Sequence, residues 1–160
     1  MNRLTPRSRG AELAMLLLGG FHSMTDEVIV RLEACGHKGV RPVHAFALEA
    51  IDAGAETASE LGRRLSVSKQ AAAKTIAVLV QLGYVASGVH PNDARRKQLQ
   101  VTPRGCELMT LGGALFNDVR DRWAARIGAR QLDAFEGQLG QLIESRPLGT
   151  DDLATSDNKL

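Results

Sequence analysis

Aromatic side chains are scarce in this chain, where they make up 4% of 160 residues. Sugar-binding sites and platforms that stack single-stranded nucleic acid depend on aromatic rings, so this scarcity argues against both classes. The chain has only two cysteines, Cys35 and Cys106, and their spacing shows no pairing. A disulfide framework is therefore not expected, and a reducing compartment fits this composition.

Long apolar runs and catalytic signatures are also missing. The basic N-terminus is followed by a short apolar stretch that glycines interrupt, and no stretch approaches the ~18 apolar residues of a membrane span. We therefore expect a cytoplasmic protein without a signal peptide or membrane contact. The chain has no nucleophile elbow, phosphate-binding glycine loop, zinc-protease helix motif or convincing pair of acids. We predict that it is not an enzyme and has no cofactor.

Charge is almost balanced overall but is unevenly distributed. The net charge is +2, yet residues 63–104 contain eight Lys or Arg and a single acid, Asp93, which gives that segment +7 and the rest of the chain −5. A basic segment on an acidic body indicates a face made for a polyanion. A solvated basic surface would give the same distribution.

Hydrophobic periodicity predicts a mainly α fold with a small β-hairpin. Apolar residues recur every three or four positions over 13–32, 108–127 and 132–142, which predicts three amphipathic helices. Shorter helices are predicted to start at Pro42, after the capping box that Thr57 opens, and after Ser68. Strands are predicted at 84–89 and 98–101, with a turn between them. This order is that of a winged helix-turn-helix.

The long helices at the two ends have apolar stripes that the small centre cannot cover, so a symmetric dimer is the economical solution. We therefore predict dimerisation helices at 11–36 and 103–145 and a winged helix-turn-helix DNA-binding domain at 42–102. The N-terminus at 1–10 and the tail at 146–160 are predicted to be disordered.

The helix after Ser68 has the composition of a recognition helix. Long hydrogen-bonding side chains stand at its start and small alanines follow, which lets the backbone approach the bases. Lys69 can reach guanine and Gln70 adenine, while Ser68 and Lys74 can hold phosphates. Arg63 and Arg64, which end the preceding helix, are also predicted to contact phosphates. An ordinary helical hairpin with solvated lysines remains the alternative.

The predicted hairpin turn carries three consecutive cations, Arg95, Arg96 and Lys97. Asp93 precedes Arg95 by two residues and can hold its guanidinium in one pose. An arginine fixed in this way suits the narrow minor groove, where the potential is most negative. The alternative is a surface turn that charge keeps soluble.

These features together resemble the MarR family of bacterial regulators. The segments that carry the resemblance are Ser59-Glu60-Leu61, Leu65-Ser66-Val67-Ser68-Lys69, Leu82-Gly83-Tyr84-Val85, and Asp93-Ala94-Arg95 followed by Leu99, Val101-Thr102 and Gly105. The resemblance covers about residues 11–145.

The resemblance implies a homodimer that binds a palindromic operator, usually represses transcription, and is released by a small ligand or an oxidant. By position, it implies that the recognition helix contains Lys69, Gln70, Ala73 and Lys74. It also implies that Arg95 is the wing-tip arginine and that Asp93 is the acid that orients it. The alanine run at 71–73 departs from the family, which often has a hydroxyl or a larger residue there.

Sensing residues are less well defined. His22, His44 and Trp123 are candidates for a ligand pocket between the dimerisation helices and the DNA-binding lobe, where the family often binds aromatic acids or drugs. Core packing is the alternative.

Cys35, His37 and His44 lie close together in sequence and contain metal-binding atoms, but they have no second Cys/His pair, and no histidine follows His90. We expect no metal site, and we expect Cys35 and Cys106 to be buried as small apolar residues. A redox- or metal-responsive regulator using these four residues, or a winged-helix protein-interaction module, remains the alternative.

Overall fold

The computed structural model describes the backbone of residues 8–90 and 93–143, and the side chains of these residues except 89–97. This part of the chain forms six helices and one antiparallel hairpin. Their bounds in chain order are α1 Arg9–Ala34, α2 Pro42–Asp52, α3 Ala58–Leu65, α4 Lys69–Gln81, β1 Val85–His90, β2 Asp93–Val101, α5 Pro103–Ile127 and α6 Ala129–Ile143. The predicted fold class, mainly α with a small hairpin, is confirmed. The termini that were predicted to be disordered lie largely outside the described residues.

Side-chain caps set the starts of the two helices of the helix-turn-helix. The hydroxyl of Thr57 accepts a hydrogen bond from the amide of Glu60 at 3.2 Å, and the Glu60 carboxylate accepts one from the amide of Thr57 at 3.2 Å. This reciprocal pair is the predicted capping box. Hydrogen bonds from the backbone amides of Glu56 and Thr57 lower the pKa of Glu60. Ser68 caps α4 by accepting from the amide of Ala71 at 3.1 Å.

The turn between α3 and α4 is tight because two residues permit it. Ser66 has a left-handed backbone with φ of 55°, which reverses the chain at the end of α3. A Cβ on Gly62 would lie 2.9 Å from the carbonyl oxygen of Val67, so only glycine lets α3 approach the turn this closely. The angle between the two helices therefore depends on both positions.

The core lies where the helix-turn-helix meets the first turns of α5. Leu61, Leu79 and Tyr84 have no exposed surface, and Ala72 is also fully buried. The inner face of α4 and Leu61 of α3 thus belong to one buried apolar cluster. Because apolar contacts fix α4 on one face, its opposite face is held towards solvent.

The hairpin extends further than the sequence pattern predicted. The register runs from Val85 opposite Val101 to Val89 opposite Lys97, and after an irregularity His90 pairs with Asp93. Residues 93–97 therefore belong to strand β2, and their assignment to a turn was wrong. Polar residues on both faces give no alternating signal, so only backbone pairing reveals this part of the strand.

Helix α1 is, by length and composition, apolar enough to cross a membrane. The expectation that no segment approaches a membrane span was therefore wrong. Glycines and hydroxyl residues interrupt the apolar run of α1, but they add no charge, so the mean hydropathy of the helix stays high. The second half of α1 nevertheless packs in the protein through buried Val28 and Leu32. Arg31 of α1 also forms a salt bridge with Asp118 of α5, to which it donates a hydrogen bond at 2.8 Å at the protein surface.

A cluster around Tyr84 joins three parts of the fold. His37, between α1 and α2, is buried, and its Nδ1 lies 3.1 Å from the Tyr84 hydroxyl. The guanidinium of Arg104 in the first turn of α5 stacks 5.2 Å from the Tyr84 ring centroid and donates to the Gly36 carbonyl at 3.0 Å. This cluster fixes the start of the hairpin relative to the ends of α1 and α5.

Candidate nucleic-acid interface

The first turn of α4 presents exposed polar and cationic side chains. Lys69, Gln70 and Lys74 are exposed, as is Ala73 beside them. The first turn of α4 contains no acid, so nothing there neutralises its positive end. The hydroxyl of Ser68 accepts the capping hydrogen bond and keeps its proton free to donate. This surface can therefore bind an anionic ligand that also carries hydrogen-bond acceptors.

The two arginines at the end of α3 have different surroundings. Arg63 is exposed to solvent. Arg64 donates from one guanidinium nitrogen to the carbonyls of Ala50 at 3.1 Å and Ala53 at 2.8 Å. Both carbonyls lie at the end of α2, where that of Ala50 also accepts from the amide of Ala55, so Arg64 caps that helix. The sequence analysis predicted phosphate contacts for both Arg63 and Arg64, and it did not predict that Arg64 caps α2.

The predicted wing residues are described only by their backbone. Asp93, Arg95, Arg96 and Lys97 belong to β2. Their side chains lie outside the described residues, so the predicted pairing of Asp93 with Arg95 stays a prediction. The backbone hairpin that carries them is present directly after α4, in the order that a winged helix-turn-helix requires.

A groove of about 670 Å³ separates the first turn of α2 from the outer face of α4, and we call it the α2–α4 groove. Its polar lining comes from both helices and includes His44 and Lys74. The full lining consists of Gly39, Arg41, Val43, His44, Val67, Ser68, Gln70, Ala71, Lys74, Thr75 and Val78. Sequence reasoning missed Arg41, although a cation directly before the proline that starts a helix was a usable signal.

His44 is the most deeply buried polar group of this groove, with 5% of its surface exposed. Its Nδ1 accepts a hydrogen bond from the amide of Arg41 at 3.1 Å, which caps the start of α2. Burial and the charge of Arg41 lower the pKa of His44 to about 4, so its imidazole is neutral at pH 7.

The three predicted ligand residues lie on three different helices, His22 on α1, His44 on α2 and Trp123 on α5. Trp123 packs on α1, where its Cη2 lies 3.6 Å from the position that a Cβ on Gly20 would take. The ring of His22 is half-buried and lies 5.8 Å from the ring of Phe21. His44 lines the α2–α4 groove instead, next to the recognition helix.

Both cysteines are free and exposed in this chain, so the expectation that they are buried was wrong. Cys35 follows the end of α1, and Cys106 lies on the outer side of α5, between the buried Gly105 and Leu108. His37 is buried against the Tyr84 hydroxyl, whereas Cys35 is exposed. Within residues whose placement is described, no three His, Cys, Asp or Glu side chains form a group that could hold a metal.

The fold and the exposed basic start of α4 define a winged helix-turn-helix protein. The predicted resemblance to the MarR family is confirmed, because the sequence model of that family matches residues 38–96. This match spans the helix-turn-helix and most of the hairpin. A search among curated proteins found no match.

Solved structures extend the likeness beyond the matched segment. The PcaV regulator of Streptomyces coelicolor in complex with its natural ligand is 16% identical, with a TM-score of 0.65 over 90% of this chain and 98% of that one. A MarR-family regulator from Rhodococcus sp. RHA1 is 16% identical, with a TM-score of 0.64 over 85% and 96%. The S. aureus MepR–DNA complex is 15% identical, with a TM-score of 0.65 over 86% and 99%. These similarities establish the shared fold.

Proposed function

We propose that this protein is a MarR-type transcription regulator that binds an operator in double-stranded DNA. The observation that carries the proposal is the exposed start of α4, where Lys69 and Gln70 face solvent and the first turn has no acid. Apolar packing of Leu79 and Leu61 on the other face holds this surface outward. A rigid helix with long donors at its start is the element that reads a major groove.

Each polar residue of this surface receives a role in the proposal. Gln70 and Lys69 read base edges, while Ser68, Lys74 and Arg63 hold phosphates. Ala73 lets the helix backbone approach the groove, and Arg64 supports the surface by capping α2. The wing residues Arg95, Arg96 and Lys97 contact the minor groove or its phosphates, with Asp93 orienting Arg95.

We further propose that the protein acts as a homodimer. Leu16 of α1 is 71% exposed and Leu142 of α6 is 79% exposed, and further large apolar side chains on these helices are also exposed. A second copy that covers both helix ends removes this apolar surface from water. A two-fold dimer presents two copies of α4, so the operator is palindromic, with half-sites about 10 base pairs apart.

The sign of regulation and the effector belong to the same proposal. The protein represses its target in the cytoplasm, and a small-molecule ligand releases it from DNA. PcaV has been solved with its natural ligand and MepR with DNA, and both share this fold, which supports a regulator that responds to a ligand. Nothing in this role requires catalysis.

Selection of bound duplexes from random DNA, followed by salt titration, tests the proposal. We expect binding that weakens steeply with salt, with a log–log slope that scales with the number of phosphate contacts. Gln70→Ala should lose about 1–3 kcal/mol of discrimination at one base position. Arg95→Ala should weaken binding to all sequences alike.

Arg130→Ala is a matched control, because it removes an exposed arginine of α6 outside the basic segment. Its affinity and salt slope should equal those of the parent protein. If no duplex binds at low salt, the chain is a protein-interaction module instead. If Gln70→Ala discriminates among bases as well as the parent does, base reading by α4 is wrong.

A further inference from the structure

Among the described side chains, apolar contacts anchor the hairpin at its base. Leu99 and Val101 of β2 pack against the buried core, and Val85 of β1 is itself part of that core. Towards the tip the next described side chain is Gln98, which lies opposite Gly88 in the register. A Cβ built on Gly88 would meet no atom within 4 Å. At the level of this pair, any side-chain contact that fixes the hairpin must therefore come from Gln98.

Gln98 makes such a contact with Glu56, which lies in the loop between α2 and α3. The amide nitrogen of Gln98 donates to the Glu56 carboxylate at 3.1 Å. The backbone amide of Glu56 in turn donates to the carboxylate of Glu60 at 2.8 Å, and Glu60 belongs to the capping box of α3. Glu56 and Gln98 both line a cleft of about 360 Å³ between the end of α2 and β2. The hydrogen bond therefore links the hairpin to the start of the helix-turn-helix at a place where apolar packing is incomplete.

The other end of the Gln98 amide is unfavourably placed. Its oxygen is buried and has no hydrogen-bond partner among the described residues. The amide keeps this orientation because only its nitrogen can donate to the carboxylate of Glu56. An unpaired buried acceptor destabilises the folded state, and an apolar side chain of similar length would avoid it. The position that Gln98 gives to β2 therefore explains this residue better than the stability that it adds.

We propose that the hydrogen bond between Glu56 and Gln98 is a positioning contact that sets the angle of the hairpin relative to α4. Strand β2 runs from Asp93 through Gln98, so a rotation at Gln98 displaces the segment that carries Arg95. Under the proposed function, Arg95 and the start of α4 contact the same duplex, and their separation has to match it. The effect on DNA binding rests on that proposed function, whereas the fixing of the hairpin does not.

Swapping the two side chains tests the contact in the full chain without DNA. Gln98→Glu alone places two carboxylates against each other and breaks the hydrogen bond. Adding Glu56→Gln restores a donor and an acceptor, and the double variant has the composition and net charge of the parent. Hydrogen exchange, measured by mass spectrometry, reports on the backbone amides of residues 93–97. We expect this exchange to accelerate at least about fivefold in Gln98→Glu and to return to within about twofold of the parent in the double variant.

The amides of α4 are the internal reference for this experiment, because the inner face of that helix packs in the core. Their exchange should be the same in all three proteins. Unchanged exchange at residues 93–97 in Gln98→Glu, or no recovery in the double variant, overturns the proposal.

Gln98→Met separates positioning from global stability. It removes the donor to Glu56 but also removes the unpaired oxygen, so Tm should stay within about 2 °C of the parent while exchange at residues 93–97 accelerates. A fall in Tm of more than about 5 °C would mean that Gln98 stabilises the whole lobe, which overturns a positioning role. Gln100→Met, at an exposed position of the same strand, is the control and should change neither quantity.

DNA binding forms a separate arm. Arg95→Ala should weaken the binding of selected duplex at least about tenfold in the parent but less than about twofold in Gln98→Met, because a displaced wing has already lost that contact. Equal losses in the two backgrounds overturn the effect of Gln98 on DNA binding. If no duplex binds the parent, or if Arg95→Ala has no effect there, the proposed function or its wing assignment fails, and hydrogen exchange still decides the positioning contact.

Discussion

The winged helix-turn-helix lobe and the helical ends of this chain differ in how they bury apolar surface. In the lobe, Leu48, Leu61 and Leu79 are fully buried by neighbours from the same chain. At the ends, Leu13 of α1 is 56% exposed and Leu142 of α6 is 79% exposed. The lobe is therefore a core that one chain completes, whereas the ends present surface that one chain leaves uncovered.

This difference separates two kinds of stability. The lobe depends on contacts within the chain, so its local stability should follow the packing of single side chains. The helical ends depend on association under our dimer proposal, so their contribution should follow protein concentration. The four predictions below test this separation, from the largest expected effect to the smallest.

The largest effect is expected for Leu16→Glu combined with Leu142→Glu. Each change places a charge on apolar surface that the dimer buries, and four sites change in the dimer. The dissociation constant of the dimer should rise at least about a thousandfold, or about 4 kcal/mol. Analytical ultracentrifugation measures this shift. Val80→Glu, at an exposed apolar position of α4, is the control and should leave the dimer intact.

Leu61→Ala should have the next largest effect, acting within the lobe. Its side chain is fully buried, so truncation removes apolar contacts and leaves a cavity. We expect the free energy of unfolding to fall by about 3–4 kcal/mol in urea denaturation at fixed protein concentration. Val80→Ala, at an exposed site, should change it by less than about 0.5 kcal/mol. A loss below about 1 kcal/mol for Leu61→Ala would contradict a core completed by one chain.

Acid should destabilise the lobe through His44. The folded protein holds the pKa of His44 at about 4, against 6.5 ordinarily, so only the unfolded chain takes up this proton between these values. The free energy of unfolding therefore keeps its full value above pH 6.5 and falls as the pH decreases. The decrease reaches at most about 3 kcal/mol near pH 4. His44→Gln keeps an acceptor for the cap and should remove this component. Identical pH profiles for the two proteins between pH 7 and 5 would refute the assignment.

The smallest effect is expected at the ion pairs between α5 and α6. Arg120 donates to Glu136 at 2.8 Å and to Asp133 at 2.6 Å, and these partners raise its pKa. Asp133 and Glu136 are exposed and Arg120 is partly exposed, so water and salt screen the attraction. Arg120→Ala should shift Tm by no more than about 2 °C, and less at high salt. A larger shift in calorimetry would place α6 among the elements that stabilise the lobe.

Local patterns in the sequence predicted most of the fold because they act over a few residues. The capping box at Thr57, the cap at Ser68 and the proline at Pro42 each precede a helix that begins within one residue of the prediction. The start of β2 was not predictable, since Asp93–Lys97 has no apolar alternation and only pairing with β1 makes it a strand. The candidate site divides in the same way. The exposure of Lys69 and Gln70 could be predicted from their position at the start of α4, whereas the groove beside them could not.

The roles of several polar residues depended on distant partners. Arg64 caps α2 because Ala53 lies across the helix pair, eleven residues earlier in the chain. His37 is buried because the Tyr84 hydroxyl, from the end of the helix-turn-helix, meets its ring. No local spacing encodes either contact. The exposure of Cys35 and Cys106 likewise depended on which side of each helix the core covers.

By itself, the sequence determined where the helices start, which stripe of each helix is apolar, and which segment carries the positive charge. These properties depend on caps, periodicity and composition, all of which are local. Only the tertiary structure decided which cations remain exposed, which ones cap a helix, and that His44 faces Lys74 across a groove. The physical reason is that burial and pairing depend on residues that come together when the chain folds, whatever their separation along it.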